Sequence, residues 1–273
     1  MTRRNPTRKA ARERGASLPG LFAVVGDVHG EMHTMVRLLQ EWERTNQERL
    51  SFVLQVGDFQ PIRDAADLAS TPVPAKYRRM GDFADFYEER SEFPWPVRFI
   101  GGNHEPFGLL NSMPKGGDVA YHCHYLGRAG AINHAGLRIG YLSGISPPES
   151  PRRQRRAAKC PGPYYTEHDL SRATAAGRVD LLLLHQWPEG AIDRPEASGR
   201  RRAAGASDPG SETARILVEL LQPQVVFAGH MHWPHRSRLS ERTTFYGLAH
   251  IDQGRDAFAV FRAAEGGIVV EID

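Results

Sequence analysis

"LFAVVGDVHGEMHTMVRLLQEWERTNQERLSFVLQVGD", residues 21–58, opens on an apolar run that breaks at Gly-Asp and closes on a second run that breaks the same way. Between the runs, Met32, Met35, Val36, Leu39 and Trp42 recur at helical spacing. Strand, helix and strand in so short a stretch make a βαβ unit, with parallel strands covered by the helix. The pattern continues through an insertion rich in Pro and Asp, a helix expected over 74–90 ("PAKYRRMGDFADFYEER"), and a third run, "PVRFIGGN" (96–103). The chain therefore reads as an α/β protein whose N-terminal part is βαβαβ.

Further along, the elements shorten. "HYLGRAGAINHAGLRIGYLSGI" (124–145) reads as short strands separated by turns. "TEHDLSRATAAG" (166–177) is helical, and "VDLLLLHQWP" (179–188) is a buried strand ending in a histidine. "SETARILVELLQ" (211–222) is an amphipathic helix opening on Ser, and "QVVFAGHMHWP" (224–234) is another strand. Three strands close the chain: "RTTFYGL", "AFAVFRA" and "GGIVVEID".

With 273 residues the chain suits one large domain or two small ones. No window holds about 18 unbroken apolar residues, so no membrane span is expected. The two cysteines, Cys123 and Cys160, match no zinc-finger or redox spacing and point to a reducing, cytoplasmic setting without a structural disulfide. Net charge is only +3, but "TRRNPTRKAARERG" (2–15), "PRRQRRAAK" (151–159) and "SGRRRAAG" (198–205) are strongly basic, mostly through arginine. Residues 1–19 read as a disordered basic arm, 20–273 as a single domain, and 189–210 as a flexible loop. Nothing in the sequence points to a protein partner.

Five apolar runs end in ligand-type side chains: Asp27 and His29; Asp58; Asn103 and His104; His185; His230 and His232. Taken singly, a Gly-Asp after a strand is a turn or cap, and a lone histidine is a core residue. Together they are hard to obtain from packing, because crowded imidazoles and carboxylates would go unpaired at several kcal/mol each. In an open α/β sheet the carboxyl ends of the strands share one edge, so these groups can converge. A divalent cation would satisfy them. Without a thiolate a structural zinc site is not expected. The mixture of imidazole, carboxylate and amide suits Mn²⁺ first, with Fe²⁺ and Zn²⁺ as alternatives. Seven candidate ligands suit two ions about 3.5–4 Å apart, and Asp58, alone on its strand, is the natural bridge. Such a pair lowers the pKa of a water and holds phosphate oxygens for in-line attack. His104, beside Asn103 but not needed as a ligand, is placed to protonate the departing alkoxide. Glu105 is a candidate either to orient His104 or to cap a helix.

GDVHG, GD, GNHE, the lone His and GHMH, in that order, resemble the calcineurin-like metallophosphoesterase superfamily. The resemblance implies two packed mixed β-sheets flanked by helices, a four-layer α/β/β/α sandwich. It also implies that one metal takes Asp27, His29, Asp58 and His232, and the other takes Asp58, Asn103, His185 and His230. "GDFQPIRDAADL", "VPAKYRRMGDF", "FIGGNHE", "YLGRAGAINHAGLRIGYLSGI" and "HQWP" are similar, more narrowly, to the RNA lariat debranching enzyme family. That similarity implies hydrolysis of an RNA phosphodiester, with the 2′,5′ linkage of branched RNA as the specific candidate; small nucleotides or phosphoproteins are the alternative substrates. The eukaryotic members usually carry Cys where this chain has Asp27, and Asp should hold the first metal more firmly. The segment 146–165 sits where that family has its substrate-recognition loop. There Arg152, Arg153, Arg155 and Arg156 are candidates to bind RNA phosphates, and Tyr164 and Tyr165 to stack on a base; a solvated basic loop is the alternative.

Overall fold

β1 (Leu21–Val25) alternates Phe22 and Val24 with Ala23 and Val25, and all four are fully buried. A strand buried on both faces needs a layer on each side, and the computed structural model supplies them. It describes residues 20–148, 162–192, 210–263 and 269–272. The expected arm at 1–19, most of the loop expected near 189–210, and Arg152, Arg153, Arg155, Arg156 and Cys160 lie outside the described residues.

The elements after β1 run in the order α1 (Met32–Asn46), β2 (Leu50–Gln55), α2 (Ala65–Ala69), α3 (Phe83–Tyr87), β3 (Val97–Phe99) and α4 (Phe107–Leu110). Then come β4 (Gly117–Ala120), β5 (Cys123–Tyr125), β6 (Ala129–His134), β7 (Leu137–Leu142), α5 (Glu167–Thr174) and β8 (Leu181–Leu184). The chain continues through α6 (Glu212–Leu221), β9 (Val225–Ala228), β10 (His235–Arg238), β11 (Thr244–Gly247), β12 (Phe258–Ala263) and β13 (Val269–Ile272).

The strands form two sheets, ordered β13-β12-β1-β2-β3-β5-β4 and β10-β11-β9-β8-β7-β6. β1, β2 and β3 are parallel neighbours, as the βαβαβ reading requires. β7, β8 and β9 are parallel neighbours in the second sheet. Three apolar layers hold the four layers of secondary structure together. Phe22, Val24, Phe52 and Leu54 meet Ile139, Leu181, Leu183 and Phe227 between the sheets. Ala23, Val25 and Val53 pack outward on Met35, Leu39 and Trp42 of α1 and on Phe83 and Phe86 of α3. Leu182, Leu184 and Val226 pack outward on Ala173 of α5 and on Ala214 and Leu217 of α6. The four-layer sandwich is thus the observed fold.

The single helix expected over 74–90 is not formed. A short 3₁₀ turn at Ala75–Tyr77 and α3 are separated by Gly81, which has φ +67° and packs against Gly30. Asp82, next in sequence, accepts from Met32 N at 2.7 Å and His33 N at 3.2 Å, capping α1 from about 50 positions away. Local periodicity favoured one helix, but a tertiary cap required the break.

Candidate metal centre

Asp27 follows β1, Asp58 follows β2, Asn103 and His104 follow β3, His185 directly follows β8, and His230 and His232 follow β9. Two sheets therefore deliver these groups to one rim. Glycines let the loops close. A Cβ at Gly102 would collide with Asp58 Oδ1, and one at Gly229 with Asp27 Oδ1. Four of the candidate ligands hold left-handed backbone: His29 (φ 48°), Asp58 (54°), His230 (68°) and His232 (58°). Such conformations cost about 1–3 kcal/mol each and persist where the surroundings impose them.

Each carboxylate is fixed by a loop from elsewhere. Asp58 Oδ1 accepts from His104 N at 2.7 Å, and Asp27 Oδ1 accepts from His230 N at 2.9 Å. The second oxygen of each, Oδ2, is buried without a hydrogen-bond partner. His232 Nε2 lies 2.8 Å from Asp27 Oδ2 but outside hydrogen-bond alignment. Asp58 Oδ2 lies between two groups, 3.7 Å from His29 Nε2 and 3.5 Å from His185 Nε2.

The imidazole nitrogens converge on the same space. His185 Nδ1 faces the Val56 carbonyl at 3.0 Å, so that nitrogen carries the proton. In the neutral ring Nε2 is then a bare lone pair, 3.0 Å from Asn103 Oδ1. His29 Nε2 and His232 Nε2 face each other at 3.1 Å, while Gln60 meets His29 Nδ1 at 2.8 Å. The neutral His185 Nε2 and Asn103 Oδ1 are two acceptors facing each other, an arrangement that a cation between or beside them would satisfy. Ligand atoms of Asp27, His29, Asp58 and His232 all lie within 4.8 Å of one another, a group able to hold a metal ion. His185 and Asn103 meet on the other side of Asp58, with the His230 ring 5.0 Å from His185. The orphaned carboxylate oxygens and opposed lone pairs fit divalent cations.

Titration follows the same electrostatics. Burial pushes the Asp27 carboxyl up, but the His232 and His29 imidazoles outweigh it and bring the value down to about 2. Burial likewise opposes ionisation of Asp58, and His185 and His29 overcome it. His185, fully buried, would lose its proton were it not for Asp58, which raises it to about 9. Burial and then His185 depress His230 to about 4. His104 is depressed chiefly by burial, and its Nδ1 is buried without a partner.

Several expectations change. Glu105 neither orients His104 by a hydrogen bond nor caps a helix with its side chain. Its carboxylate accepts from Phe59 N at 3.0 Å, Gln60 N at 2.8 Å and Gly102 N at 3.0 Å, strapping the loop after β2 to the loop after β3. Burial raises it to about 7. Tyr165 is unavailable for base stacking: it is 3% exposed, packs in the layer under α5 and α6, and meets Ser211 Oγ through its hydroxyl at 3.0 Å. Tyr164 is half-buried, and its carbonyl accepts from Arg128 Nη2 at 2.6 Å.

Other groups at the rim escaped the sequence reading. Gln60 orients His29. His250 stacks on His29 at 5.0 Å and lies 5.2 Å from His232. "TFYGLAH" (244–250) carried the same signal as the others, an apolar run ending in histidine, and could have found it. Arg78 and Arg79 line a cavity beside His29 and His104; only the fold brings them there.

The chain is 34% identical to the lariat debranching enzyme of Entamoeba histolytica, over 77% of this chain and 63% of that protein. It is 31% identical to the lariat debranching enzyme of Arabidopsis thaliana, over 77% of this chain and 54% of that one. For the Homo sapiens lariat debranching enzyme the values are 33%, 77% and 41%. The chain thus spans between two-fifths and two-thirds of the length of these relatives. Among solved structures, a dimetal phosphatase from Danio rerio superposes with a TM-score of 0.53 at 17% identity, covering 94% of this chain and 99% of that one, a likeness of fold. The family model described as calcineurin-like phosphoesterase matches residues 20–234, which carry β1 to β9 and every candidate ligand, and the chain belongs to that family.

Proposed function

We propose that the protein is a divalent-metal-dependent phosphodiesterase that hydrolyses an RNA phosphodiester, with the 2′,5′ linkage of branched RNA as its specific substrate. The observation that carries the reading is the pair of buried carboxylates, each with one oxygen fixed by a backbone N–H and the other left unpartnered among imidazoles. The substrate part rests on the likeness to lariat debranching enzymes. Asp27, His29, Asp58 and His232 would hold one ion, and Asp58, Asn103, His185 and His230 the other, with Mn²⁺ the expected metal. Bound there, the ions would supply Lewis acidity that favours deprotonation of water and neutralises phosphate charge.

The chain's own residues perform the remaining work. Asp58 accepts from the His104 backbone N–H, which holds the loop that carries the imidazole against this carboxylate. Gln60 fixes the His29 ring, and Val56 fixes the tautomer of His185. Water adds to phosphorus, the bond from phosphorus to the leaving 2′-oxygen breaks, and that oxygen takes a proton from His104. The proton shed by water restores the acid.

A panel of 2′,5′-branched RNA, linear 3′,5′-RNA, cyclic dinucleotides and p-nitrophenyl esters, run with Mn²⁺, Fe²⁺ and Zn²⁺, tests the reading. Branched RNA should be cleaved fastest. His104→Ala should lower turnover by about 10²–10⁴-fold with metal content unchanged. Preference for p-nitrophenyl phosphate or a cyclic dinucleotide would replace the RNA assignment, and loss of metal from the variant would remove His104 from the role of acid.

A further inference from the structure

A cavity of about 460 Å³ opens beside His29 and His104, a volume within the range of small-ligand sites. Ile62, Leu68 and Val73 supply apolar wall, and Arg78 and Arg79 supply cationic wall. Arg78 bonds the carbonyls of Val73 and Thr71 through Nε at 2.9 Å and Nη2 at 3.2 Å. Arg79 Nη1 bonds the carbonyl of Arg78 at 2.9 Å. Among the described residues neither guanidinium has a carboxylate partner within ion-pair distance. Glu31 shares the lining, so an anion would be drawn to the arginine side only.

The surrounding frame is held at both ends. Asp82 ties the segment after Arg79 to the start of α1, and Glu105 ties Gln60 to the loop after β3. The apolar wall and the two cations are therefore kept at a set distance from His104.

We propose that this cavity receives the nucleotide on the leaving side of the scissile bond, its base against Ile62, Leu68 and Val73 and its 3′-phosphate on Arg78 and Arg79. The assignment rests on the phosphodiesterase reading, because His104 in the cavity wall defines the leaving side. It adds which side chains hold that leaving nucleotide: an apolar wall for its base and two arginines for its further phosphate. An apolar wall suits the flat face of a base, whose removal from water is favourable while its polar edge stays open to solvent. Guanidinium groups satisfied only by main-chain carbonyls keep their charge for a phosphate, and charge-assisted bonds of that kind are the strong ones.

Titration calorimetry with the four nucleoside 3′-monophosphates, the matching nucleosides and inorganic phosphate tests the proposal, with Mn²⁺ present and again with EDTA. The 3′-monophosphates should bind in both conditions, and the nucleosides about tenfold or more weaker. Arg79→Ala, at an exposed position, should weaken the 3′-monophosphates by about tenfold or more, with partial recovery in Arg79→Lys. Val73→Trp, checked for folding by thermal melting, should abolish binding by filling the slot. Binding that vanishes with EDTA would place the phosphate on the metal centre and overturn the assignment. So would binding indifferent to Arg79→Ala, or binding of inorganic phosphate as tight as that of the nucleotides. RNA hydrolysis measured on the same preparations separates the two claims. Hydrolysis without nucleotide binding would remove only the cavity assignment, and binding without hydrolysis would remove only the phosphodiesterase reading.

Discussion

Gly102 illustrates how the site depends on absent atoms as well as present ones. The amide of His104 reaches Asp58 Oδ1 at 2.7 Å because nothing projects from Gly102 into the carboxylate. Gly102→Ala should push Asp58 aside, costing about 1–3 kcal/mol of stability as overpacking does and reducing bound metal. Urea denaturation and elemental analysis would check this; full metal content with unchanged stability would refute it. The left-handed backbone at His29, Asp58, His230 and His232 belongs to the same economy of space. Asp and His tolerate that region better than most side chains do, so the ligand residue types also suit the backbone they must adopt.

Among the elements, the loops after parallel strands matter more than the strands. The loop after β2 and the loop after β3 are joined by Glu105, and the segment before α3 is joined to α1 by Asp82. α1 begins at Met32 with no cap from its own N-cap side chain, because Asp82 supplies it across the fold. A carboxylate there also meets the positive end of the helix dipole. Asp82→Ala should cost about 0.5–2 kcal/mol, and Asp82→Asn less, measured by urea unfolding. A loss confined to the local 3₁₀ turn, with global stability intact, would show that α1 does not need this cap.

The whole molecule is a meeting of two sheets, and that meeting creates environments neither sheet has alone. His134 of β6 packs edge-on against Phe52 of β2 at 4.5 Å. Burial, and then the charge of Arg98 on β3, depress it from 6.5 to about 4. Between those values the unfolded chain takes a proton that the folded protein refuses, so stability falls as pH drops from 6.5 towards 4. His134→Phe should lose part of that slope in thermal melts across the range; an identical slope in both proteins would contradict the assignment. The sequence by itself determined the βαβαβ start, the buried strands, and the residue types that close them: Asp27, Asp58, Asn103, His185, His230 and His232 were legible because a polar side chain ending an apolar run is a local pattern. It did not contain the break at Gly81, the burial of Tyr165, the strap at Glu105 or the cavity at Arg78 and Arg79. Those depend on contacts between segments far apart in the chain, where a cap, a carboxylate or a layer of core comes from an element that local periodicity cannot see. Tertiary structure alone decided that His185 and His230 leave one sheet to meet Asp58 and Asn103 leaving the other, since only packing the two sheets face to face brings their rims together.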